Sequence, residues 1–426
     1  MERHGPTVSV SPVHVLIDKE VRILVGGLKA NQNITIRSWV NGDKTDIFES
    51  YVYYTSDNNG IVDLRRQSAT GGLYTGVQPM GLFTSMIPSP NNDRAHSRMS
   101  PKVDVEKSLE FHVDVYDLHL VPELINRCVP LSSTTVYRSY IAPGVKRQPV
   151  RNGRLRGTIF IPPGKGPFPA VIDLFGTAGG LMEFRASLLA SHGYLSFALA
   201  YFAHDDLPLS AVDLDLEYFE EAKDYLKEHH SAAKGDIGVI GVSVGGTIAM
   251  TLASYVEGFK CAVVINGPSF VQYATFTYKG RSWPGVDNDM NRMYVENNGV
   301  VFGSCLDSVD ENNLGDAEIE FHKSKSSFLF FYSEADKAIN TELMQRVLHH
   351  LLSKEKTCEC KIITHPGAGH LLEPPYSPHA PLTHAKLINL PQRWGGNSKQ
   401  HAEAQLSSWK EILKYLNEVF YSRAKL

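Results

Sequence analysis

The sequence is poor in cysteine and has no long apolar run. Its five cysteines are an odd and sparse set, which excludes a small secreted disulfide framework and favours a reducing compartment. Cys358 and Cys360 are separated by one residue, and no second pair stands at zinc-site spacing, so we predict no metal site. We expect neither a signal peptide nor a membrane-spanning segment, because no apolar stretch has the required length.

The sequence also has no strong excess of charge of either sign. A net charge of −4 means that the chain lacks the excess of positive charge with which proteins bind nucleic acid or an anionic membrane, so we predict neither partner. One basic cluster, RNGRLRG at residues 151–157, offers positive charge for phosphates, but we favour a solvated strand edge there. A hydrophobic content of 42% is typical of a globular protein with a full core, and 426 residues suit two domains.

Two kinds of sequence pattern follow one another along the chain. Up to about residue 141, short runs such as NITIRSWV and LEFHVDVYD carry β-branched or aromatic residues at alternate positions, which predicts a β-sandwich. From about residue 151, strand-like and helical runs alternate, which predicts a parallel sheet covered by helices on both faces. We therefore predict an α/β protein with an amino-terminal β-sandwich over residues 1–145 and an α/β domain over 146–426.

Residues 267–325 interrupt the alternation of strands and helices. We find no clear sheet strand in this stretch. The sequence therefore predicts a loop-rich insertion, which we expect to act as a lid or as one wall of a substrate cleft.

Ser243 lies between glycines in the stretch DIGVIGVSVGGTIAM at residues 236–250. An apolar strand over 237–240 runs directly into Gly241-Val-Ser-Val-Gly245, and a helical pattern follows at once. A strand, a sharp turn and a helix are the setting of a nucleophile elbow, in which small neighbours leave room for a strained serine. We predict that Ser243 is a nucleophile rather than a structural turn serine.

A nucleophilic serine needs a base and an orienting carboxylate, each on a loop after a later sheet strand. The stretch SFLFFYSEADKAIN offers Glu334 and Asp336, and we favour Asp336. The stretch CKIITHPGAGHLLEPPY offers His365 and His370. We favour His370, because the preceding glycines free a loop tip to reach the serine, whereas His365 stands at the strand end and suits a packed or surface role.

The same chemistry needs two backbone donors for an oxyanion. We predict that one is the N–H of Val244, directly after the nucleophile. The other is expected from the glycine-rich loop DLFGTAGG after an early strand, where either Gly176 or Thr177 has a suitably placed amide.

Long ordered stretches of the chain resemble the type I acyl-CoA thioesterases and the related bile acid-CoA:amino acid N-acyltransferases. They include GRLRGTIFIPPGKGPFPAVIDLFGTAGGLMEFRASLLA, LEYFEEAKDYL, GVSVGG, AVVINGPS, GHLLEPPY, RWGG and HAEAQLSSWK. The resemblance covers nearly the whole chain. It implies a β-sandwich joined to an α/β-hydrolase domain, and a triad that falls on Ser243, Asp336 and His370.

From this resemblance together with a serine nucleophile we predict hydrolysis of a fatty acyl-CoA to the free acid and CoA, with no cofactor. The similar amino-acid transferases carry cysteine at the nucleophile, whereas this chain has Ser243. Acyl transfer to glycine or taurine is the alternative, and a catalytically silent acyl-CoA-binding protein is a further one.

The chain ends in Ala-Lys-Leu at residues 424–426, a variant of the Ser-Lys-Leu address that the peroxisomal import receptor reads. We therefore expect a peroxisomal location, with the cytosol as the alternative.

Overall fold

The computed structural model describes residues 5–42, 46–90, 92, 104–354, 357–385 and 389–421. The chain divides into two compact units. Unit 1 comprises Met1–Tyr140 and Glu373–Ala380, and unit 2 comprises Ile141–Leu372 and Pro381–Leu426. The predicted address at residues 424–426 lies outside the described residues.

Strands make up most of the regular secondary structure in the described part of unit 1. These are β1 (Thr7–Ser11), β2 (His14–Leu16), β3 (Arg22–Gly26), β4 (Asn33–Asn41), β5 (Ile47–Thr55), β6 (Val62–Asp63), β7 (Gly71–Gly72), β8 (Ile87–Pro88), β9 (Leu109–Asp117) and β10 (Ser132–Ser139), with the short helices α1 (Gly81–Thr84) and α2 (Pro122–Ile125). In the described part of the unit, one sheet has the order β1-β3-β6 and the other β2-β10-β9-β4-β5-β7, with β8 beside β5. Along β5 every second side chain is buried, as expected when one face of a sheet packs on a core. The predicted amino-terminal β-rich domain is confirmed.

The segment Glu373–Ala380 belongs to unit 1 although the predicted boundary placed it in the second domain. The Tyr376 hydroxyl donates to Glu20 Oε1 at 3.2 Å, and the N–H of His379 donates to the Thr84 carbonyl oxygen at 3.2 Å. The fully buried Arg138 guanidinium lies 5.5 Å from the centre of the Tyr376 ring. These contacts explain the assignment, which no local sequence pattern indicates.

Unit 2 alternates strands and helices. Its strands are β11 (Lys146–Asn152), β12 (Leu155–Ile161), β13 (Ala170–Leu174), β14 (Leu195–Ala200), β15 (Asp213–Asp215), β16 (Ile237–Val242), β17 (Phe259–Ile265), β18 (Thr275–Tyr278), β19 (Arg281–Pro284), β20 (Tyr294–Glu296), β21 (Gly299–Val301), β22 (Ser327–Ser333), β23 (Cys360–His365), β24 (Leu382–Ala385) and β25 (Leu390–Arg393). Its helices are α3 (Phe184–Ser191), α4 (Leu216–Lys227), α5 (Val244–Tyr255), α6 (Thr341–Ser353) and α7 (Ser398–Tyr421). None of the helices described here combines the length and apolar character needed to cross a membrane.

The central sheet of unit 2 has the order β11-β12-β14-β13-β16-β17-β22-β23. All neighbours from β14 to β23 pair in parallel, whereas β12 is antiparallel to both of its neighbours. Strands β13, β14 and β16 are buried along their whole length, because the sheet is covered on both faces. This topology is the α/β-hydrolase fold, so the predicted fold class is confirmed. The loops at the carboxyl ends of β13, β16, β22 and β23 meet at one edge, where ligands bind in open α/β sheets.

The expectation that residues 267–325 contain no sheet strands is wrong. Strands β18 and β19 form a small sheet with β15, and β20 and β21 form another with β25 and β24. Each of the four inserted strands is only three or four residues long. β18 pairs with β19 and β20 with β21 as local hairpins, and only their further partners are distant in the chain, as in the pairing of Val300 with Gln392. Strands this short leave little periodicity in the sequence.

Candidate active site

Ser243 occupies the turn between β16 and α5. Its backbone angles are φ 56° and ψ −130°, a conformation that non-glycine residues adopt only where the surrounding structure imposes it. A side chain at Gly241 has no space, since a Cβ there would lie 1.9 Å from the Gly245 carbonyl oxygen. Gly241 is therefore required by the sharp turn, and Gly245 by the close approach of the loop after β13, since a Cβ there would lie 2.3 Å from the Phe175 carbonyl oxygen.

His370 and Asp336 lie next to Ser243 in a continuous hydrogen-bonded chain. His370 Nε2 is 3.0 Å from Ser243 Oγ, and His370 Nδ1 is 2.6 Å from Asp336 Oδ2. The second carboxylate oxygen, Asp336 Oδ1, accepts hydrogen bonds from the N–H groups of Ala338 at 2.7 Å and Ile339 at 3.1 Å. With both carboxylate oxygens engaged, the acid is held in one orientation toward the imidazole.

Trp394 supports the imidazole of His370 from one face. The two rings stack with centroids 5.4 Å apart and an interplanar angle of 17°. The main-chain N–H of His370 also donates to the Trp394 carbonyl oxygen at 2.9 Å. Trp394 directly follows β25, the strand that pairs with the inserted β21. The inserted strands are therefore connected to the residue that stacks on His370.

His401, on α7, holds the loop that carries His370. Its Nδ1 accepts from the N–H of Gly369 at 3.1 Å, which leaves Nε2 to donate to the Leu371 carbonyl oxygen at 3.0 Å. These two bonds bracket His370 in the chain and restrict its backbone.

The structure does not bring Glu334 and His365 to Ser243. The Glu334 side chain is exposed, and its main-chain N–H donates to the His365 carbonyl oxygen at 3.1 Å. His365 is buried, with Nε2 2.9 Å from Ser408 Oγ and its ring stacked on Phe331. Burial lowers the pKa of His365, so this imidazole is held neutral in a packed position.

The loop after β13 approaches Ser243 closely. A Cβ on Gly176 would lie 2.8 Å from Ser243 Cβ and 3.4 Å from Ser243 Oγ, which shows how near the two backbones are. Val244 is the first residue of α5, where the N–H has no acceptor within the helix. Thr177 follows Gly176 in the turn. Val244 therefore adjoins Ser243 in the chain and Gly176 lies against it in space, while Thr177 is one residue further along the loop.

Tyr201 fixes the orientation of the peptide group that precedes Gly176. Its hydroxyl donates to the Phe175 carbonyl oxygen at 2.5 Å, and burial raises its pKa well above the usual value, so it stays protonated. In a trans peptide the C=O and N–H groups point in opposite directions. The N–H of Gly176 is thus directed away from Tyr201.

A buried ion pair lies at the start of the same loop. Arg185 Nε donates to Asp173 Oδ1 at 2.7 Å, and Arg185 Nη2 donates to the Leu174 carbonyl oxygen at 2.9 Å. Burial raises the pKa of Asp173, although the guanidinium acts in the opposite direction. The pair ties α3 to the end of β13 and so anchors the loop that contains Gly176.

The basic cluster at residues 151–157 is neutralised by carboxylates. Arg156 Nε donates to Asp206 Oδ1 at 2.7 Å, and Arg154 Nη1 donates to Asp215 Oδ2 at 2.6 Å. Arg151 pairs with Asp205. These guanidinium groups are engaged in ion pairs at the edge of the sheet, in agreement with the interpretation as a solvated strand edge.

Comparison with known proteins identifies the family. Residues 18–152 match the family described as "Acyl-CoA thioester hydrolase/BAAT N-terminal region", and residues 214–422 match "BAAT / Acyl-CoA thioester hydrolase C terminal". The chain belongs to this acyl-CoA thioesterase/BAAT family, as the sequence analysis predicted, and an acyl-CoA substrate is what the family implies.

Individual relatives include both thioesterases and acyltransferases. The chain is 39% identical over 411 residues to acyl-coenzyme A amino acid N-acyltransferase 2 of Rattus norvegicus, a match that covers 96% of each chain. It is 36% identical over 419 residues to the peroxisomal succinyl-coenzyme A thioesterase of Mus musculus, covering 97% of this chain and 96% of the relative. It is 36% identical to acyl-coenzyme A thioesterase 1 of Homo sapiens, covering 94% and 93%.

Trp394, His401 and Tyr201 are not among the site residues predicted from the sequence. Trp394 and His401 lie in RWGG and HAEAQLSSWK, two of the stretches on which the family resemblance rests. These two stretches therefore marked the residues in the sequence, but only the fold shows what the side chains contact.

Proposed function

We propose that this protein hydrolyses acyl-CoA thioesters to a free carboxylic acid and CoA. The observation that carries the proposal is the continuous chain from Ser243 Oγ to His370 Nε2 at 3.0 Å and from His370 Nδ1 to Asp336 Oδ2 at 2.6 Å. Membership of a family whose members act on acyl-CoA supports the choice of substrate.

In the proposed first step, His370 removes the Ser243 proton as Oγ attacks the thioester carbonyl carbon. The imidazolium that forms is stabilised by Asp336. The C–S bond then breaks, and the thiol of CoA leaves with the proton from His370. The product of this half-reaction is an acyl ester of Ser243.

The negative charge that develops on the thioester oxygen is assigned to backbone donors. We propose the N–H of Val244 as one donor. For the second we favour Gly176 over Thr177, because the Gly176 peptide is the one that Tyr201 orients and that lies against Ser243. Removing one such donor typically costs about 3–4 kcal/mol of transition-state stabilisation.

In the second half-reaction, His370 takes a proton from a water molecule that attacks the acyl ester, and it returns this proton to Ser243 Oγ as the acyl–Oγ bond breaks and the acid is released. An oxyester on serine is a less reactive acyl donor toward amines than the thioester that cysteine would form. The presence of Ser243 therefore supports hydrolysis over conjugation. Acyl transfer to glycine or taurine is the second candidate, favoured by the 39% identity to a relative named as an amino acid N-acyltransferase.

The inserted strands are proposed to form one wall of the substrate cleft. The N–H groups of Phe302 and Gly303 donate to the Lys337 carbonyl oxygen at 3.1 and 3.0 Å, directly beside Asp336 in the chain. The insertion is thus bonded to the loop of the acid, which supports a role next to the reacting thioester.

The test uses purified wild-type protein and Ser243→Ala with a fatty acyl-CoA, with and without taurine or glycine. We expect wild type to release free acid and CoA, and Ser243→Ala to lose turnover while still binding the substrate. Mass spectrometry of the products distinguishes the free acid from an amide. Wild-type rates in Ser243→Ala would contradict the mechanism, and an amide as the main product would replace hydrolysis by acyl transfer.

A peroxisomal location is also proposed. It is supported by the Ala-Lys-Leu sequence at residues 424–426 and by a relative named as a peroxisomal thioesterase. A fluorescent protein fused ahead of the chain is expected to enter peroxisomes, and replacement of Lys425 by glutamate should leave it in the cytosol.

A further inference from the structure

Asn266 lies where the loops that carry the three triad residues come together. It directly follows β17, and the N–H of Ser243 donates to the carbonyl oxygen of Ile265, the residue before it, at 2.9 Å. Asn266 is fully buried and has φ 45°, in the left-handed region. Asparagine is one of the few residues besides glycine that adopts this conformation readily.

The side-chain amide of Asn266 is hydrogen-bonded at both ends. Its Nδ2 donates to the His370 carbonyl oxygen at 2.8 Å and to Ser333 Oγ at 3.1 Å, and the Gly369 carbonyl oxygen is 3.4 Å away. Its Oδ1 accepts from the main-chain N–H of Ser333 at 2.9 Å. Because a main-chain N–H can only donate, the amide orientation is fixed.

The two partners of Asn266 belong to the acid loop and the base loop. Ser333 is the last residue of β22, and its carbonyl oxygen accepts from the N–H of Asp336 at 3.2 Å. His370 is itself the base. One buried amide therefore joins the start of the acid loop to the backbone of the base. The residue before Asn266 is in turn hydrogen-bonded to the main chain of the nucleophile.

We propose that Asn266 is a positioning residue that sets the distance between His370 and Ser243. The inference rests on the proposed function, because it takes His370 as the base. Asn266 does not reach the reacting atoms in this assignment; it acts by fixing the backbone of His370. Misplacement of a catalytic group by about 1 Å costs on the order of 100-fold in rate.

The test is Asn266→Gly, which keeps the left-handed backbone conformation accessible and removes the amide. We expect kcat to fall by roughly 100-fold with KM changed less than about threefold, because the base is misplaced but the substrate cleft is not. Labelling of Ser243 by a fluorophosphonate should slow by a similar factor. The matched control is Asn31→Gly, at an exposed position with φ 54° in unit 1, which should keep the wild-type rate.

A double variant shows whether Asn266 acts through His370. Adding Asn266→Gly to His370→Ala should change the remaining labelling rate less than about threefold, since the base that Asn266 positions is already absent. An equal loss in both backgrounds would overturn the inference in favour of a general structural role. So would an Asn266→Gly variant with wild-type kcat.

The same experiments separate this inference from the proposed function. If wild type releases no CoA, or if Ser243→Ala keeps wild-type turnover, the proposed function fails, and Asn266 is then judged by the fluorophosphonate rates alone. If Asn266→Gly does not accumulate as folded protein, the near-isosteric Asn266→Asp replaces it. That variant retains an acceptor for the Ser333 N–H and removes the donor to His370, with the same expected and contradicting results.

Discussion

Replacing Asp336 by asparagine exchanges a single carboxylate oxygen for an amide nitrogen. We expect this change to move the imidazole proton of His370 from Nδ1 to Nε2. Asp336 Oδ1 accepts from two main-chain N–H groups, those of Ala338 and Ile339, and this requires an oxygen at that position. The amide nitrogen of an asparagine must therefore face His370 Nδ1. Since an amide N–H2 can only donate, Nδ1 must become the acceptor, and the imidazole proton moves to Nε2.

The size of the effect follows from this tautomer. With its proton on Nε2, His370 donates toward Ser243 Oγ and cannot remove the serine proton. The analogous change in serine proteases lowers kcat about 10⁴-fold, equivalent to about 5.5 kcal/mol of transition-state stabilisation. We expect a loss of this order for Asp336→Asn, with the folded structure retained because the two main-chain bonds persist.

The assay is release of free CoA thiol from a fatty acyl-CoA under saturating substrate, with thermal unfolding measured in parallel. The control is Glu334→Gln, which alters the exposed carboxylate two residues earlier and should keep kcat within about twofold of wild type. An Asp336→Asn variant that retains a tenth or more of the wild-type kcat would refute the assignment of the acid. Loss of activity in Glu334→Gln instead would move the role to Glu334.

Two further predictions concern the close packing of Gly176 against Ser243 and the burial of His365. Gly176→Ala should lower kcat by more than about tenfold in the CoA-release assay, because its Cβ would lie 2.8 Å from Ser243 Cβ. The control is Gly26→Ala, whose Cβ would lie 3.9 Å from the nearest atom, and we expect it to leave kcat unchanged. Burial lowers the pKa of folded His365 below the value of about 6.5 expected in the unfolded chain, so its contribution to stability is present above about pH 6.5 and is lost as the pH falls below it. The melting temperature of wild type should accordingly fall more between about pH 7.5 and pH 5.5 than that of His365→Gln, which retains a partner for Ser408; equal pH dependence would contradict this account.

The candidate site residues that follow the sheet strands could be predicted from the sequence, because the patterns that indicate them are local. An apolar run followed by Gly-x-Ser-x-Gly and a helical pattern specifies the turn at Ser243 without any knowledge of distant residues. The loops of Asp336 and His370 follow strands with strong apolar character, and their order in the chain matches the fold. The structure brings these side chains to within hydrogen-bonding distance, while their catalytic roles stay predictions.

The remaining features depend on contacts between segments far apart in the chain. Trp394 stacks on His370 because β25 pairs with β21, more than ninety residues earlier, and no local pattern indicates this pairing. The strands at residues 275–301 are hidden for a different reason, since each is only three or four residues long and too short for a clear alternating pattern. The assignment of Glu373–Ala380 to unit 1 depends on Arg138 and other residues hundreds of positions earlier. Sequence periodicity indicates which face of a helix or strand is buried, but it does not indicate which other segment packs or pairs with it.

The central claim is that Ser243 is a nucleophile activated by His370, and reaction with a fluorophosphonate tests it most directly. The account predicts one covalent adduct per chain, located by peptide mass spectrometry on Ser243, with CoA release lost in proportion to labelling. His370→Ala should react far more slowly, and Ser243→Ala should not be modified. A chain that keeps full CoA release after Ser243 is labelled, or that is labelled at another residue with loss of activity, would contradict the claim.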